Sequence, residues 1–196
     1  MSRPRPRAGL DVKTVRLRVA VQKAVAWAAL PSPAQVRRWV TAAAGADKHG
    51  ELTVRLVGEP ESAALNERYR GRAGPTNVLA FPAEADFPAE ANLSAGADEG
   101  FAGAELAPVG DLVICAPVVE REAREQGKAL EAHWAHILMH GTLHLLGYDH
   151  EDEEAARRME DRERELLRGF GFGDPYAAEA DGSRGEESAA DPAPAS

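Results

Sequence analysis

Short runs of alternating apolar and polar residues occur at several points along the chain. In the run from Thr14 to Val21 every second residue is Val or Leu, and the run from Glu51 to Val57 alternates in a similar way. A period of two places the apolar side chains on one face of an extended strand. Two shorter apolar runs, 77–81 and 110–115, are typical of buried strands. The pattern therefore predicts about four strands.

Five segments between and after these strands have the features of helices. Ser32 followed by Pro33 is a typical helix start, and this helix is predicted to run to about Ala44. The other four helices are predicted over residues 58–70, 117–126, 129–146 and 152–167. Since strands and helices interleave, we predict an α/β fold of the α+β type, with a mixed sheet of about four strands packed with helices.

Three segments show no such periodicity. Residues 1–13 are rich in arginine and proline, which predicts a disordered basic extension. Residues 83–109 contain mainly alanine, glycine, proline and acids, which predicts a flexible acidic loop. Residues 173–196 are polar, acidic and low in complexity, which predicts a disordered acidic tail. The remaining chain, 14–172, has the size of a single domain.

Composition narrows the class of protein. Hydrophobic residues make up 44% of the chain and charged residues 28%, as in a globular protein. No apolar run approaches the roughly 18 residues that would span a membrane, and the N-terminus lacks the apolar segment of a secretory signal. The single cysteine, Cys115, excludes an internal disulfide. We therefore expect a cytoplasmic protein without a membrane partner.

The net charge of −9 is unevenly distributed. Residues 1–82 hold 14 basic and 6 acidic residues, whereas residues 83–109 hold 6 acidic residues and no basic one. We interpret the acidic stretches as solvated surface. The basic N-terminal half is compatible with a polyanionic partner.

Three histidines, His140, His144 and His150, have the spacing H-x3-H-x5-H. Residues four apart on a helix project from the same face, so the first two can bind one ion near the end of the predicted helix 129–146. Gly147 permits the backbone reversal that can bring His150 towards them. Three imidazoles leave one position of a tetrahedral zinc open, which is typical of catalytic sites. We therefore predict one zinc ion per chain in a single catalytic domain, although imidazole alone does not select zinc over nickel or copper.

The spacing resembles the metzincin motif H-E-x-x-H-x-x-G-x-x-H of zinc proteases, with one departure. Gly141 stands where a metzincin has the glutamate that takes the proton from the attacking water. The ligand set is kept and the proton acceptor of the protease is missing. This departure argues against peptidase chemistry and favours a reaction in which the substrate or another residue handles the proton, such as phosphodiester cleavage.

Longer motifs indicate a specific family. The stretches HGTLHLLGYDH, LNERYRGRAGPTNVLAFP, and GDLVIC followed by EAHWAHILMH together resemble the YbeY family of bacterial endoribonucleases, over roughly residues 50–168. The resemblance implies a zinc-dependent, single-strand-specific endoribonuclease that acts in rRNA maturation and ribosome quality control. It implies single-stranded RNA, precursor rRNA and the small ribosomal subunit as partners. His140, His144 and His150 match the zinc ligands of the family, and Arg70 matches its functional arginine.

Arg70 lies at the end of a predicted helix, where a basic side chain is common because it interacts favourably with the helix dipole. With the resemblance we favour a phosphate contact instead, because a guanidinium group matches the geometry of phosphate oxygens. We therefore predict that Arg70 binds substrate and that Arg70 and His140 are catalytic.

Four further residues lie near these motifs in the sequence. His133 and His136 precede His140 by seven and four residues, so they can orient the ligands or line a groove, and roles in packing are equally compatible with their positions. For Asp111 and Asp149 we favour a structural role over proton transfer.

Two other functions stay open at the level of the sequence. A zinc peptidase could use another carboxylate, for instance Asp149, as its base, an interpretation that rests on the metzincin-like spacing alone. A non-catalytic ribosome assembly factor could carry a structural metal. This function would be consistent with the lack of an evident general base in the motif and with the charged termini.

Overall fold

A four-stranded sheet between layers of helices forms the framework of the protein, for which a computed structural model describes residues 17–83, 106–149 and 152–177. The strands are β1 (Arg18–Lys23), β2 (Glu51–Val57), β3 (Val78–Pro82) and β4 (Pro108–Cys115). The helices are α1 (Pro33–Ala44), α2 (Glu59–Arg70), α3 (Ala116–Glu125), α4 (Leu130–Leu145) and α5 (Glu153–Gly169).

The sheet is mixed, with the strand order β1-β2-β4-β3. The strands β1, β2 and β4 are parallel, and β3 pairs antiparallel with β4 at the edge of the sheet. The prediction of a mixed sheet of about four strands packed with helices is therefore confirmed.

Local sequence signals fix the helix ends. The side chain of Ser32 caps α1 by accepting a hydrogen bond from the N–H of Gln35, and the side chain of Gln35 accepts one from the N–H of Ser32, which forms a capping box. The carboxylate of Asp152 caps α5 by accepting a hydrogen bond from the N–H of Ala155. At the end of α2, Gly71 adopts the left-handed conformation with a φ of 63°. These caps place the element boundaries close to those expected from the sequence.

Both faces of the sheet are covered, and β4 shows this most clearly. Leu112 and Ile114 belong to the larger hydrophobic cluster, which includes buried residues of α1, α4 and α5. Val113 and Cys115 belong to a smaller cluster on the opposite face, against which Leu65 of α2 packs. The alternation follows from the period of two in a strand, and it makes β4 buried on both sides.

Several predicted features fall wholly or mainly outside the described residues. These are the basic extension 1–13, most of the acidic loop 83–109 and most of the acidic tail 173–196. The first five residues of that predicted tail, 173–177, are described, and Tyr176 contacts His136 of α4 and Glu163 of α5. Within the described parts of the chain, no helix is both long enough and apolar enough to cross a membrane.

Gly110 occupies a position of β4 that other residues cannot take without strain. Its φ is 145°, and a Cβ atom there would lie 2.5 Å from the carbonyl oxygen of Phe81 and 2.9 Å from Cδ2 of Leu145. We expect Gly110→Ala to lower the free energy of unfolding by about 3 kcal/mol, through backbone strain and overpacking together.

Gly127→Ala is the matched control for this prediction, measured by urea denaturation. Gly127 also has a positive φ, 62°, but no heavy atom lies within 4 Å of the position that a Cβ atom would take there. Only the conformational cost of about 1 kcal/mol is expected in this variant. Equal losses in the two variants would contradict the account of Gly110.

Candidate functional site

Helix α4 carries four histidines through the interior of the protein. Ten of its 16 residues are buried, because the helix packs against the sheet while α1, α3 and α5 cover its other sides. The histidines are His133, His136, His140 and His144. Their spacing of three or four residues places them along one side of the helix, where each reaches a polar partner.

His140 and His144 direct one nitrogen each towards a common point. Their Nε2 atoms are 3.2 Å apart, and their rings are nearly perpendicular, at 82°. Two imidazole nitrogens bound to one tetrahedral zinc at about 2.0–2.1 Å lie roughly 3.3 Å apart. The separation of this pair therefore fits two ligands of a single ion. His150, the predicted third ligand, lies outside the described residues.

The other nitrogen of His140 is held by a carboxylate from α5. Glu163 has no solvent exposure, and its Oε1 lies 2.8 Å from Nδ1 of His140. Its Oε2 lies 2.9 Å from Nε2 of His136 and accepts a hydrogen bond from the hydroxyl of Tyr176. Every oxygen of this buried carboxylate thus has a donor.

The hydrogen bonds keep Glu163 ionised. Burial alone would raise the pKa of its carboxyl, but the hydrogen bonds from His136 and His140 outweigh burial and hold the pKa well below its ordinary value. An ionised carboxylate only accepts, so Nδ1 of His140 carries the proton and donates it. This tautomer leaves Nε2 of His140 unprotonated on the side that faces His144, where it can accept a hydrogen bond or bind a metal ion.

His136, His140 and Glu163 also form a group that could hold a metal ion themselves, with ligand atoms within 4.8 Å of one another. That set would use Nδ1 of His140, whereas the pair with His144 uses Nε2. The separations of 2.8 and 2.9 Å are those of charge-assisted hydrogen bonds between imidazole and carboxylate. These separations favour Glu163 as the hydrogen-bond acceptor of the two histidines over Glu163 as a metal ligand.

A cavity of about 480 Å³ opens beside the histidine pair. His140, His144 and Arg70 all line it, so the structure brings these three predicted residues to one place. Arg70 is the last residue of α2, and it is exposed. Within residues 17–83, 106–149 and 152–177 no carboxylate pairs with its guanidinium group. The cavity therefore combines two nitrogens that could bind a metal ion with a guanidinium group that pairs with no carboxylate of the described residues.

Gly141 lies at the closest approach of α4 to the sheet. A Cβ atom at this position would lie 2.9 Å from Cγ2 of Val78 and 3.0 Å from Cδ2 of Leu112. Any side chain at this position would have to displace the side chains of Val78 and Leu112. The packing of α4 on the sheet therefore disfavours a glutamate at the metzincin position.

A second carboxylate network supports the wall of the cavity. Glu122 of α3 lies 3.0 Å from Nε2 of His133, which is only 3% exposed, and accepts hydrogen bonds from Nδ2 of Asn77. Asn77 in turn accepts a hydrogen bond from the N–H of Val78, and both line the cavity. The network joins the start of β3 to α3 and α4.

Of the remaining candidates, Asp149 lines the cavity and Asp111 lies in β4 opposite Phe81. His133 and His136, left open between ligand orientation and packing, both contact carboxylates. Sequence reasoning missed Glu163, although a signal was present. Met159, Glu163, Leu166 and Leu167 follow the helical period, so a glutamate occupied a core position of an amphipathic helix.

Known proteins are similar to this sequence over most of its length. The sequence model of the family described as Endoribonuclease YbeY matches residues 25–171. The chain belongs to this family. It is 52% identical over 166 residues to the Endoribonuclease YbeY of Xanthomonas axonopodis pv. citri, which covers 84% of this chain and 96% of that protein.

Two further proteins match the chain over a similar extent. The Endoribonuclease YbeY of Alkalilimnicola ehrlichii is 54% identical over 164 residues, covering 82% of this chain and 91% of that protein. The solution structure of TM1509 from Thermotoga maritima is 22% identical, with a TM-score of 0.45, and covers 87% of this chain and 97% of that one.

The Glu122 network yields a prediction for the dependence of stability on pH. Burial would raise the pKa of Glu122, but hydrogen bonds from His133 and Asn77 lower it below the ordinary value of 4.5. A lowered pKa stabilises the fold above that value, and the contribution is lost as pH falls. We expect Glu122→Gln to destabilise the protein by about 1–2 kcal/mol at pH 7.

Denaturant unfolding at several pH values measures this loss of stability. Glu125→Gln is the matched control, because Glu125 is exposed on the same helix. The difference between wild type and Glu122→Gln should shrink as pH falls below about 4.5. A difference that grows at acidic pH would contradict the assignment.

Proposed function

We propose that the protein is a zinc-dependent endoribonuclease that cleaves single-stranded RNA in the cytoplasm, in rRNA maturation and ribosome quality control. Precursor rRNA and the small ribosomal subunit would be its partners. The observation that carries the proposal is the shared cavity, in which Arg70 faces the same space as His140 and His144. The family and the name of the relatives, Endoribonuclease YbeY, supply the substrate class.

His140, His144 and His150 would hold one zinc ion. The fit rests on the 3.2 Å separation of two Nε2 atoms and on the carboxylate that leaves Nε2 of His140 unprotonated. When bound, zinc supplies a Lewis acid that polarises a phosphoryl oxygen. Imidazole ligands are neutral, so they leave the full positive charge of the ion available to a phosphate.

Arg70 is the second positive group in the proposed mechanism. Its planar guanidinium can donate two parallel hydrogen bonds to a phosphodiester, and no carboxylate of the described residues competes for it. It would bind the phosphate in the ground state and offset the additional negative charge that develops during cleavage. Arg70 thereby has both the substrate-binding and the catalytic role, with His140 as the other catalytic residue.

Tyr148 supports the preference for single strands. It lines the cavity, and at 37% exposure it is one of two large hydrophobic side chains exposed within the described residues. Unpaired bases can leave the helical stack and pack on an aromatic ring, whereas bases in a duplex cannot. An exposed tyrosine beside the proposed cleavage site favours an unpaired nucleotide.

Proton transfer in this cavity does not follow the scheme of a zinc peptidase. Gly141 offers no base at the metzincin position, and its packing against Val78 and Leu112 disfavours a larger residue there. Asp149 is the carboxylate among the described lining residues of the cavity. RNA carries a nucleophile of its own, the ribose 2′-hydroxyl. The chemical groups at the ends of the cleaved RNA would show whether this hydroxyl or a water molecule attacks the phosphate.

The first test of this proposal concerns the metal. Purified protein should contain about one equivalent of zinc, and His144→Ala should lose most of it, because two remaining ligands bind weakly. Metal content is measured by inductively coupled plasma mass spectrometry. His49→Ala is the control, since His49 is an exposed histidine in the turn before β2. Unchanged zinc in His144→Ala would show that the ligand assignment is wrong.

The second test concerns Arg70. Reversing its charge with Arg70→Glu should reduce cleavage of single-stranded RNA by at least about 100-fold, as expected when a group that stabilises developing charge is lost. Zinc content and thermal stability should not change, because Arg70 is exposed at a helix end.

Arg68→Glu is the control, with the same charge reversal on α2 at a residue that does not line the cavity. Comparable loss of cleavage in both variants would show that Arg70 acts only through the overall charge of the protein. Loss of zinc or of the fold in Arg70→Glu would assign the residue a structural role instead.

A further inference from the structure

The segment that follows α5 returns to the metal site. After α5 ends at Gly169, Phe172 donates its N–H to the carbonyl of Leu167 and its ring packs edge-on against Trp39. The chain then runs past α4, where residues 172–175 line a small cavity together with His133 and His136. This course brings Tyr176 to the interior end of Glu163.

Several contacts hold Tyr176 in that place. Its N–H donates to Oδ1 of Asp174, and Asp174 also lies 3.4 Å from Nε of Arg164. The guanidinium carbon of Arg164 lies 4.9 Å from the centre of the Tyr176 ring, a cation–π contact. The ring also forms a T-shaped pair with His136, with centroids 5.5 Å apart and an angle of 84° between the rings. The phenol is therefore held by its backbone, by a cation and by a neighbouring ring.

The hydroxyl of Tyr176 donates to Oε2 of Glu163, the oxygen that also faces Nε2 of His136. The carboxylate is thus held on one side by Tyr176 and His136, and its other oxygen is presented to Nδ1 of His140. A chain of contacts connects the C-terminal segment to the nitrogen that faces His144.

We propose that Tyr176 and Glu163 form a positioning pair for the metal ligand His140, so that residues 174–176 help to order the metal site. The inference rests on the proposed function for the site itself. Glu163 fixes the tautomer and the ring orientation of His140, and Tyr176 fixes the carboxylate of Glu163. Neither residue binds the metal.

The consequence is a metal affinity that depends on residues outside the ligand set. Loss of a carboxylate that orders a ligating histidine typically reduces metal affinity by about 10- to 100-fold. Glutamine at position 163 offers one oxygen for three donors, so at least one buried donor would lose its partner. Phenylalanine at position 176 keeps the ring packing and removes only the hydroxyl.

The experiment measures zinc affinity of the full chain and its variants by competition with a chromophoric chelator. We expect Glu163→Gln to weaken zinc binding by about 10- to 100-fold, and Tyr176→Phe to weaken it in the same direction by a smaller factor. Glu165→Gln is the charge-matched control, because Glu165 is exposed on the same helix and pairs with Arg162. It should bind zinc as the wild type does.

Two truncations separate the segment from the rest of the tail. Ending the chain after Ala177 should leave zinc affinity unchanged, whereas ending it after Gly173 removes Asp174 and Tyr176 and should weaken binding at least as much as Tyr176→Phe. Equal affinity of both truncated forms would overturn the role of the segment.

A spectroscopic measurement distinguishes positioning from general destabilisation. Long-range proton–nitrogen NMR correlations of His140 in the zinc-loaded protein should show a protonated Nδ1 in the wild type, with an altered Nδ1 shift in Glu163→Gln and in Tyr176→Phe. Unchanged shifts and unchanged affinity in both folded variants would overturn the proposal. If zinc binds the wild type but is unaffected by His144→Ala, the proposed metal site fails instead, so the two failures are distinguishable.

Discussion

A carboxylate with no exposure to solvent needs a donor for each of its oxygens, and the interior of this protein supplies three such donors to Glu163. Leaving a buried charge without partners is strongly destabilising, so the position of α5 against α4 must satisfy this group. The same contacts determine which nitrogen of His140 carries a proton. One buried interaction therefore links the packing of two helices to the chemistry of the cavity.

The close packing of α4 on the sheet has a comparable effect on function. Because Gly141 has no side chain, α4 approaches Val78 and Leu112 closely, and the wall of the cavity is formed directly by β3. The first two histidines keep the spacing of a metzincin, while the side chains of Val78 and Leu112 crowd the position of its glutamate. A phosphodiester substrate suits such a site, since RNA brings its own nucleophile and Arg70 offers a counter-charge.

Much of the fold could be predicted from the sequence, because its signals are local. Caps such as Ser32 and Asp152, together with the alternation in β2, indicate the elements and their ends. The order of the strands could not be predicted in this way, since the antiparallel pairing of β3 with β4 depends on contacts between elements. Arg70 and His140 were found through motifs, and the structure adds their shared cavity.

Glu163 shows why the rest of the site was not accessible from the sequence. Its place in the helical period of α5 marks it as a charged residue at a core position, but its partners His140 and His136 lie 23 and 27 residues away. No periodicity links such distant groups. Tyr176 falls in a segment that was predicted to be disordered because it is polar, acidic and low in complexity. Its hydrogen bond to Glu163 forms only where α4 and α5 have packed, so no local signal marks it.

We propose that a zinc ion is held on the Nε2 side of His140, with Glu163 on the Nδ1 side. Anomalous diffraction at the zinc absorption edge, from crystals of the zinc-loaded protein, would locate the ion. We expect a single strong peak within bonding distance of Nε2 of both His140 and His144, at about 2.0–2.1 Å. A peak between His136, Glu163 and Nδ1 of His140 would contradict it.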